Sequence, residues 1–383
     1  MDAKGFVLRT KIVCERQGVR RTGALTGDVG VGKALVVTDP GIAAAGVLDQ
    51  VLASLKESSI AVNVFDAVEP NPTMQAVDSA AEQYAVTKCD GIVAVGGGSA
   101  MDTGKSVAVL ATNAGSASDY VGNDKVAKPC APIVCIPTTA GTAAEITDVA
   151  VLSDRKKKIK TGLRSPYVAP TLALLDPCLT VSLPPGPTRE SGLDALTHAV
   201  ESYICVNAWS ATDALALRSI ELIGHHLRRA THYGKDIEAR EGMLTASLLA
   251  GMAFHNTLLC LVHAITGPLG GMYNLPHGAA NAIVLPHAMR FLLPGALLKY
   301  RNIAAALGAR IRGLGEREAA EQAVDAVVQL AQDVGLTQGL AAYGVQEDDL
   351  PQIAETVAGS YMIPLSPRAA TAPEIIEVCR AAL

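Results

Sequence analysis

The sequence lacks any apolar run near the length of about 18 residues that a transmembrane helix needs, so no membrane partner is expected. An apolar signal core is also missing from the opening stretch MDAKGFVLRTKIVCERQG, which contains charged residues throughout, and secretion is therefore not expected. Basic residues are not in excess, since the net charge is −5 at pH 7, which argues against nucleic acid as a partner. These absences predict a cytoplasmic protein that acts on small molecules.

Cysteine pairs of the CxxC type are absent too, although the chain has eight cysteines among its 383 residues. Most of them have apolar neighbours, as in APIVCIP and SYICV, which is typical of reduced core residues. Apolar material is plentiful: 49% of the residues are hydrophobic and only 18% are charged. That composition predicts an ordered chain with a large core, and the length predicts about two to three domains.

Strand and helix patterns alternate in the first half of the chain. Runs rich in β-formers occur at KALVVTD, IAVNVFD, DGIVAVGGG, APIVCIPTT and TLALLD, with helical stretches such as MQAVDSAAEQYAVTKC between them. Such alternation predicts a parallel sheet with helices on both faces. Prolines and a glycine in VSLPPGPTRESG then break the pattern, and long helical stretches follow. We therefore predict an α/β domain over residues 1–184 and an all-helical domain over residues 185–383.

The most informative local motif is DGIVAVGGGSAMDTGKSVAVLA, in which a buried strand ends in Gly96–Gly98 and is followed by Ser99 and a helix. Glycines allow backbone N–H groups to approach a phosphate closely, and a helix N-terminus favours its negative charge. The motif is not a P-loop, because Ser99 stands where that pattern requires glycine, and it also departs from GxGxxG. We interpret it as a phosphate-binding turn; the alternative is a tight turn without a ligand.

Two further segments carry polar groups at predicted strand ends. Asp39 follows the strand in ALVVTDPG, where a carboxylate can accept the ribose 2′-hydroxyl of NAD and repel the 2′-phosphate of NADP. The alternative role for Asp39 is that of a turn residue. Thr138, Thr139 and Thr142 in IPTTAGTAAEIT offer hydroxyl groups at the end of another strand, and the alternative there is a polar loop without a ligand.

Candidate metal ligands come from separate stretches of the second half. In SGLDALTHAVESY, Asp194 and His198 are four residues apart, so they share one face of the predicted helix. His263 in LCLVHAITGPLGG and His277 in YNLPHGAANAIVLP have apolar neighbours, where an unpaired imidazole would be destabilising. The alternative is a surface pair and two core histidines without a metal. Together, one carboxylate and three imidazoles suit a divalent transition metal.

Several of these segments together resemble the iron-containing (group III) alcohol dehydrogenases: GGGSAMDTGKS, PTTAGTAAEIT, DALTHAVESY, VHAITGPLGGMYNLPHG and AIVLPH. The resemblance extends from VTDPG near residue 38 to SPRAAT near residue 371. It implies a Rossmann-like dinucleotide-binding α/β domain followed by an all-helical metal-binding domain. It also implies an NAD-dependent alcohol dehydrogenase or aldehyde reductase, activated by Fe²⁺ or Zn²⁺, that forms a homodimer.

The resemblance also assigns individual residues. Asp194, His198, His263 and His277 correspond to the four metal ligands of the family, and Phe254 corresponds to an aromatic residue beside the substrate pocket. The residues that correspond to cofactor contacts are Asp39, Asn71, Gly97, Gly98, Ser99, Asp102, Thr138, Thr139, Thr142 and Lys160.

The chain departs from the family pattern at two positions. Family members often have a second histidine four residues after the ligand in VHAxxH, where this chain has Gly267. They often have AFNNA where this chain has AFHNT, so His255 is a further candidate for a catalytic role. Either the glycine admits a bulkier substrate, which we favour, or proton transfer uses another relay such as His255. Other functions left open are a hydroxy-acid or polyol dehydrogenase and a nucleotide-binding protein without turnover.

Overall fold

The computed structural model describes residues 4–155, 157 and 159–383. Within this part of the chain, no single helix is both long and apolar enough to cross a membrane. One pair of helices, Ile237–Thr257 and Leu261–Met272, meets the criteria of length and composition when the two are taken together, across a bend of 101°.

The chain divides into two compact units. The sheet unit consists of Leu8–Thr139 and Ala143–Leu183. The helical unit consists of residues 4–7, Ala140–Thr142 and Pro184–Leu383. Two short segments therefore group with the helical unit although they precede the boundary predicted at residue 184.

The sheet unit contains the strands β1 (Lys11–Cys14), β2 (Lys33–Val37), β3 (Ala61–Phe65), β4 (Gly91–Gly96), β5 (Gly122–Asn123), β6 (Ile133–Pro137), β7 (Val149–Asp154), β8 (Ile159–Arg164) and β9 (Leu172–Leu175). Six of them form a parallel sheet in the order β1-β9-β6-β4-β2-β3. The other three form a small sheet in the order β5-β8-β7. The predicted parallel sheet of the N-terminal half is confirmed.

Helices cover both faces of the parallel sheet. They are α1 (Thr22–Asp28), α2 (Pro40–Ala44), α3 (Val47–Glu57), α4 (Met74–Thr87) and α5 (Gly98–Leu110). Along β4, Ile92 and Ala94 belong to the core that includes Met101 of α5, whereas Val93 and Val95 belong to the core that includes residues of α3. Successive side chains of a strand point to opposite faces, so a strand covered on both sides has to be apolar throughout.

The helical unit consists of α6 (Pro185–Ile204), α7 (Ser210–His232), α8 (Ile237–Thr257), α9 (Leu261–Met272), α10 (His277–Leu292), α11 (Leu297–Ala306), α12 (Glu316–Asp333), α13 (Leu350–Ala358) and α14 (Ala372–Ala381). Its described residues include no strand, which agrees with the predicted all-helical half. Helix α6 begins at Pro185, where a proline removes only an N–H that has no partner within the helix.

Helix α6 is the central helix of this unit. It packs against α7, α8 and α10, and every residue from Gly192 to Ile204 is buried. A Cβ on Gly192 would come within 2.3 Å of Leu227 Cδ1 and 2.9 Å of Met243 Cε, so a larger residue here would displace these side-chain ends of α7 and α8. A helix buried on all sides places any polar side chain that it carries inside the core.

Candidate active site

The four predicted metal ligands meet in the helical unit. Asp194 and His198 lie one turn apart on α6, His263 lies in the first turn of α9, and His277 is the first residue of α10. One ligand atom from each side chain can be chosen so that all four atoms lie within 4.8 Å of one another. Three helices are therefore needed to assemble the cluster.

The rings of this cluster pack against one another and against an aromatic side chain. His198 stacks on His263 with ring centroids 4.7 Å apart, and His263 meets His277 edge-on at 5.3 Å. On its other side, His198 stacks on Phe254 of α8 at 4.5 Å. Asp194, His198 and His263 are buried, but the side chain of His277 is 35% exposed. The cluster is therefore accessible on the side of His277.

The electrostatics of the cluster favour the protonation states that a metal requires. Burial alone would raise the pKa of Asp194, but the three imidazoles and a hydrogen bond from Asn281 outweigh it and lower that pKa below its usual value. Burial lowers the pKa of His198 to about 4, against the attraction of Asp194. Near neutral pH the carboxylate is ionised and the His198 imidazole is neutral, as metal ligands have to be.

Two further polar residues contact the cluster, and the sequence analysis missed both. The amide Nδ2 of Asn281 lies 2.7 Å from Asp194 Oδ1, 3.0 Å from His263 Nε2 and 3.1 Å from His277 Nε2. Glu201 accepts a hydrogen bond from His263 Nδ1 at 2.6 Å. Helical spacing could have found them, because Asn281 lies four residues after His277 and Glu201 three residues after His198.

The donor set fits a divalent metal ion. The Nε2 atoms of His263 and His277 both lie within hydrogen-bond distance of Asn281 Nδ2, so the two ring nitrogens point towards the same place in the cluster. His198 Nδ1 lies 3.3 Å from the carbonyl oxygen of Gly141, which can only accept, and the lone pair of His198 is therefore on Nε2. One carboxylate and three imidazoles suit Fe²⁺ or Zn²⁺.

The glycine turn lies in the sheet unit at the carboxyl end of β4. Gly96 has φ +147°, and a Cβ there would lie 2.8 Å from that of Ala100, so glycine is required. Gly97 is the N-cap of α5 and, having no side chain, leaves the first N–H groups of that helix uncapped, while Gly98 and Ser99 form its first turn. An uncapped helix N-terminus after a glycine turn is suited to bind a phosphate.

Strand order places this turn at a preferred position for nucleotides. β2 and β4 are neighbours, and the chain leaves them in opposite directions, towards β3 and towards β6. Ligands of open parallel sheets bind at the carboxyl ends of such a strand pair. Asp39 follows β2 and Gly96 ends β4, and a Cβ built on Gly96 would lie 3.2 Å from Asp39 Oδ2.

Asp39 has a structural role beside the predicted one. Its Oδ1 accepts hydrogen bonds from the N–H groups of Gly41 at 2.9 Å and Ile42 at 3.1 Å, which caps α2. This is the turn role that the sequence left as an alternative. Oδ2 faces the Gly96 turn instead, so capping does not prevent a second role for the carboxylate.

The threonines after β6 divide between the two units. Thr139 lies 3.5 Å from the position that a Cβ on Gly97 would occupy, so it lines the glycine turn. The hydroxyl of Thr138 is buried and has no hydrogen-bond partner among the described residues, which suits a polar ligand there. Thr142 groups with the helical unit. The cofactor roles of all three stay predictions.

The remaining predicted cofactor residues also lie in the sheet unit. Asp102 on α5 is 3.1 Å from Lys105 Nζ through Oδ1 and accepts the N–H of Val151 at 3.1 Å through Oδ2. Burial raises the pKa of Asp102, against the charges of Lys105 and of the half-buried Lys160 on β8. Asn71 precedes α4 with φ +55°. The structure thus gives Asp102 structural bonds, and the cofactor roles of these residues stay predictions.

Lys105 anchors the loop after β6. Its fully buried Nζ donates to the carbonyl oxygens of Ala144 at 2.9 Å and Val149 at 2.5 Å, and lies 3.3 Å from the hydroxyl of Thr147. A P-loop lysine has to reach a phosphate, but the ammonium group of Lys105 is already surrounded by oxygens of this loop and by the carboxylate of Asp102. Lys105 of the GKS segment therefore stabilises the loop between β6 and β7.

Glu145 in this loop predicts a pH dependence of stability. Burial raises its pKa from 4.5 to about 7, against the attraction of Lys105, so the folded protein holds this proton more tightly than the unfolded chain. Stability then falls as pH rises between about 4.5 and 7, by up to about 1.4 kcal/mol per pH unit. Glu145→Gln is expected to remove this loss, so its melting temperature relative to the parent should rise between pH 5 and pH 7. If the difference in melting temperature between Glu145→Gln and the parent stayed constant from pH 5 to pH 7, the raised pKa of Glu145 would be contradicted.

The two departures from the family pattern lie on neighbouring helices. Gly267 is four residues after His263 on α9. Apart from the backbone of its own helix and its two chain neighbours, no heavy atom of the described residues lies within 4 Å of the position that a Cβ would occupy. It also precedes Pro268, which disfavours helical geometry for a residue with a Cβ. His255 follows Phe254 in the last turn of α8 and is half-buried. Its catalytic role stays a prediction.

Comparisons with known proteins agree with this architecture. The family profile described as iron-containing alcohol dehydrogenase matches residues 9–177, and that of the C-terminal part of the Fe-containing alcohol dehydrogenase family matches residues 188–383. The chain is 43% identical to a 1,3-propanediol dehydrogenase of Citrobacter freundii over 352 residues, or 91% of each chain. It is 36% identical to an NAD-dependent methanol dehydrogenase of Bacillus methanolicus over 378 residues, or 99% of each chain. The structure of an alcohol dehydrogenase from Oenococcus oeni matches with a TM-score of 0.96, 33% identity and complete coverage of both chains.

The fold, the cluster of four metal-ligand side chains and these matches together show that the chain belongs to the iron-containing alcohol dehydrogenase family.

Proposed function

We propose that this enzyme transfers hydride between a small alcohol, or the corresponding aldehyde, and NAD(H), and that it requires a divalent metal held by Asp194, His198, His263 and His277. The proposal rests above all on the meeting of these four side chains within 4.8 Å. The names of the relatives support the chemistry, since they specify NAD, methanol and 1,3-propanediol.

The groups of the protein bind and orient the reactants in this proposal. The uncapped N-terminus of α5 binds the cofactor pyrophosphate, and the free face of the Asp39 carboxylate accepts a ribose hydroxyl. Phe254 covers one face of His198 and excludes water from it. A bound metal supplies Lewis-acid chemistry at the substrate oxygen. His255 is a candidate to carry a proton to or from solvent.

Reconstitution tests the proposed function. Protein loaded anaerobically with Fe²⁺ or Zn²⁺ should oxidise members of a panel of simple alcohols with NAD and reduce the matching aldehydes with NADH. A chelator should remove turnover and leave the fluorescence change on NADH binding intact. We propose iron as the native metal, from the family, although zinc suits the same donors. NADH binding without chelator-sensitive turnover of any alcohol would contradict the proposal.

The assembly and location of the enzyme belong to the same proposal. We propose a homodimer that works in the cytoplasm, where eight reduced cysteines are stable. Light scattering on the purified protein should give twice the monomer mass of 39.6 kDa. A mass of 39.6 kDa at micromolar concentration would contradict the dimer.

Asp39 predicts the choice of cofactor. The enzyme should prefer NAD(H) to NADP(H), because the carboxylate would repel a ribose 2′-phosphate. Asp39→Gly should relax that preference. Asp39→Asn is the sharper variant, because its amide oxygen can keep the cap of α2 while the charge is lost. The ratio of kcat/KM for the two cofactors measures the effect, and a parent enzyme that uses both equally would refute the assignment.

A further inference from the structure

Glu201 is a carboxylate fully buried in the centre of the helical unit, at 0% exposure on α6. Each hydrogen bond that it accepts comes from the start of α9. Its Oε1 accepts the N–H of Val262 at 2.6 Å, and its Oε2 accepts the N–H of Cys260 at 3.2 Å. Oε2 also accepts from the backbone N–H of His263 at 3.4 Å and from His263 Nδ1 at 2.6 Å. Several N–H donors hold a buried carboxylate in one position and orientation.

The backbone bonds of Glu201 cap α9 from another helix. The first N–H groups of a helix have no partner within it, and Cys260 at the N-cap accepts none of them with its side chain. Glu201 satisfies these groups across the gap between α6 and α9. Its negative charge is also favourable at a helix N-terminus. The cap holds the carboxylate in place independently of the His263 ring.

The hydrogen bond between Glu201 Oε2 and His263 Nδ1 determines the tautomer and the orientation of the His263 ring. Both oxygens of Glu201 accept backbone N–H groups, which can only donate. Oε2 therefore faces His263 Nδ1 as an acceptor, so Nδ1 carries the hydrogen and Nε2 carries the lone pair. Nε2 lies 3.0 Å from the Asn281 amide nitrogen at the centre of the ligand cluster. We propose that Glu201 is a positioning residue that sets the tautomer and orientation of His263 and thereby the metal affinity of the site. The inference rests on the proposed metal-dependent function.

Glu201→Gln tests the inference with little change in volume. In the parent protein, Oε1 accepts from Val262 and Oε2 accepts from His263. A glutamine amide has only one oxygen, so it can accept at one of these two places but not at both. Co²⁺ binding to the metal-free variant, measured by chelator competition and by the visible d–d spectrum, should weaken by about ten- to a hundredfold. The spectrum should change as well, because His263 no longer has a single orientation. If this variant does not fold, Glu201→Asp serves, since it keeps the charge near the α9 N-terminus but shortens the reach to His263.

Asp176→Asn is the matched control. Asp176 is another fully buried carboxylate that accepts backbone N–H groups, from Gln17, Val19 and Cys178, but it lies in the sheet unit. Its variant should lose thermal stability and keep the Co²⁺ affinity and spectrum of the parent.

Three results distinguish the outcomes. Weaker Co²⁺ binding in Glu201→Gln alone supports the inference. If both variants lose stability and neither changes its Co²⁺ affinity or spectrum, Glu201 is a helix cap only and the inference is overturned. If the parent protein itself binds no Co²⁺, the proposed metal-dependent function is overturned together with the inference.

Discussion

Replacing His263 or His277 with alanine is expected to abolish metal binding and turnover together, while NADH still binds. Each substitution removes one of four ligands from a cluster whose atoms lie within 4.8 Å. The two histidines come from different helices, so the two variants test the contributions of α9 and α10 to the cluster separately. The predicted cofactor turn belongs to the sheet unit and is covalently unchanged. Metal content, NADH fluorescence and steady-state kinetics on the same preparation measure the three properties.

The matched control for these variants is His225→Ala. His225 is an exposed histidine of α7 in the same helical unit, outside the ligand cluster. Its variant should keep the metal, the NADH binding and the turnover of the parent. Full activity in His263→Ala or His277→Ala would remove that histidine from the site.

Introducing an imidazole through Gly267→His is expected to narrow the range of alcohols that the enzyme accepts. The position lies one turn after His263 and is open to at least the extent of a methyl group. An imidazole there would occupy space that we assign to the substrate. Each methylene of substrate excluded from an apolar pocket changes selectivity by about ten- to two-hundredfold. Longer primary alcohols should therefore lose kcat/KM by about tenfold or more relative to ethanol.

Gly267→Ala is the control for Gly267→His. It adds a Cβ, with its effect on the backbone, but not the volume of an imidazole. Any residue other than glycine before Pro268 carries the same conformational restriction, so both variants share it. The alanine variant should keep the chain-length profile of the parent. If Gly267→His instead changed all chain lengths equally and raised kcat most at low pH, a missing proton relay would be the better explanation.

Local patterns in the sequence predicted the architecture well, because they depend on neighbouring residues. Each strand or helix pattern, the glycine turn before α5 and the four-residue spacing of Asp194 and His198 can be recognised within a short stretch of sequence. The contacts that the sequence analysis missed join distant segments. Helical spacing places Glu201 one turn after His198, but Glu201 and His263 are 62 residues apart, and spacing within α6 does not show that these two meet.

By itself, the sequence determined the order of elements, the parallel sheet, the helical second half and the residue types available as ligands, since periodicity and residue chemistry are local properties. Only the tertiary structure decided which of those groups meet. The packing of α6 against α9 and α10 brings the ligands together. Burial there keeps His198 neutral, and the surrounding imidazoles with Asn281 keep Asp194 ionised although burial opposes its ionisation. The same packing encloses Lys105 in backbone oxygens and joins Glu201 to His263. Hydrogen bonds and desolvation depend on distances in space, which a linear pattern does not contain.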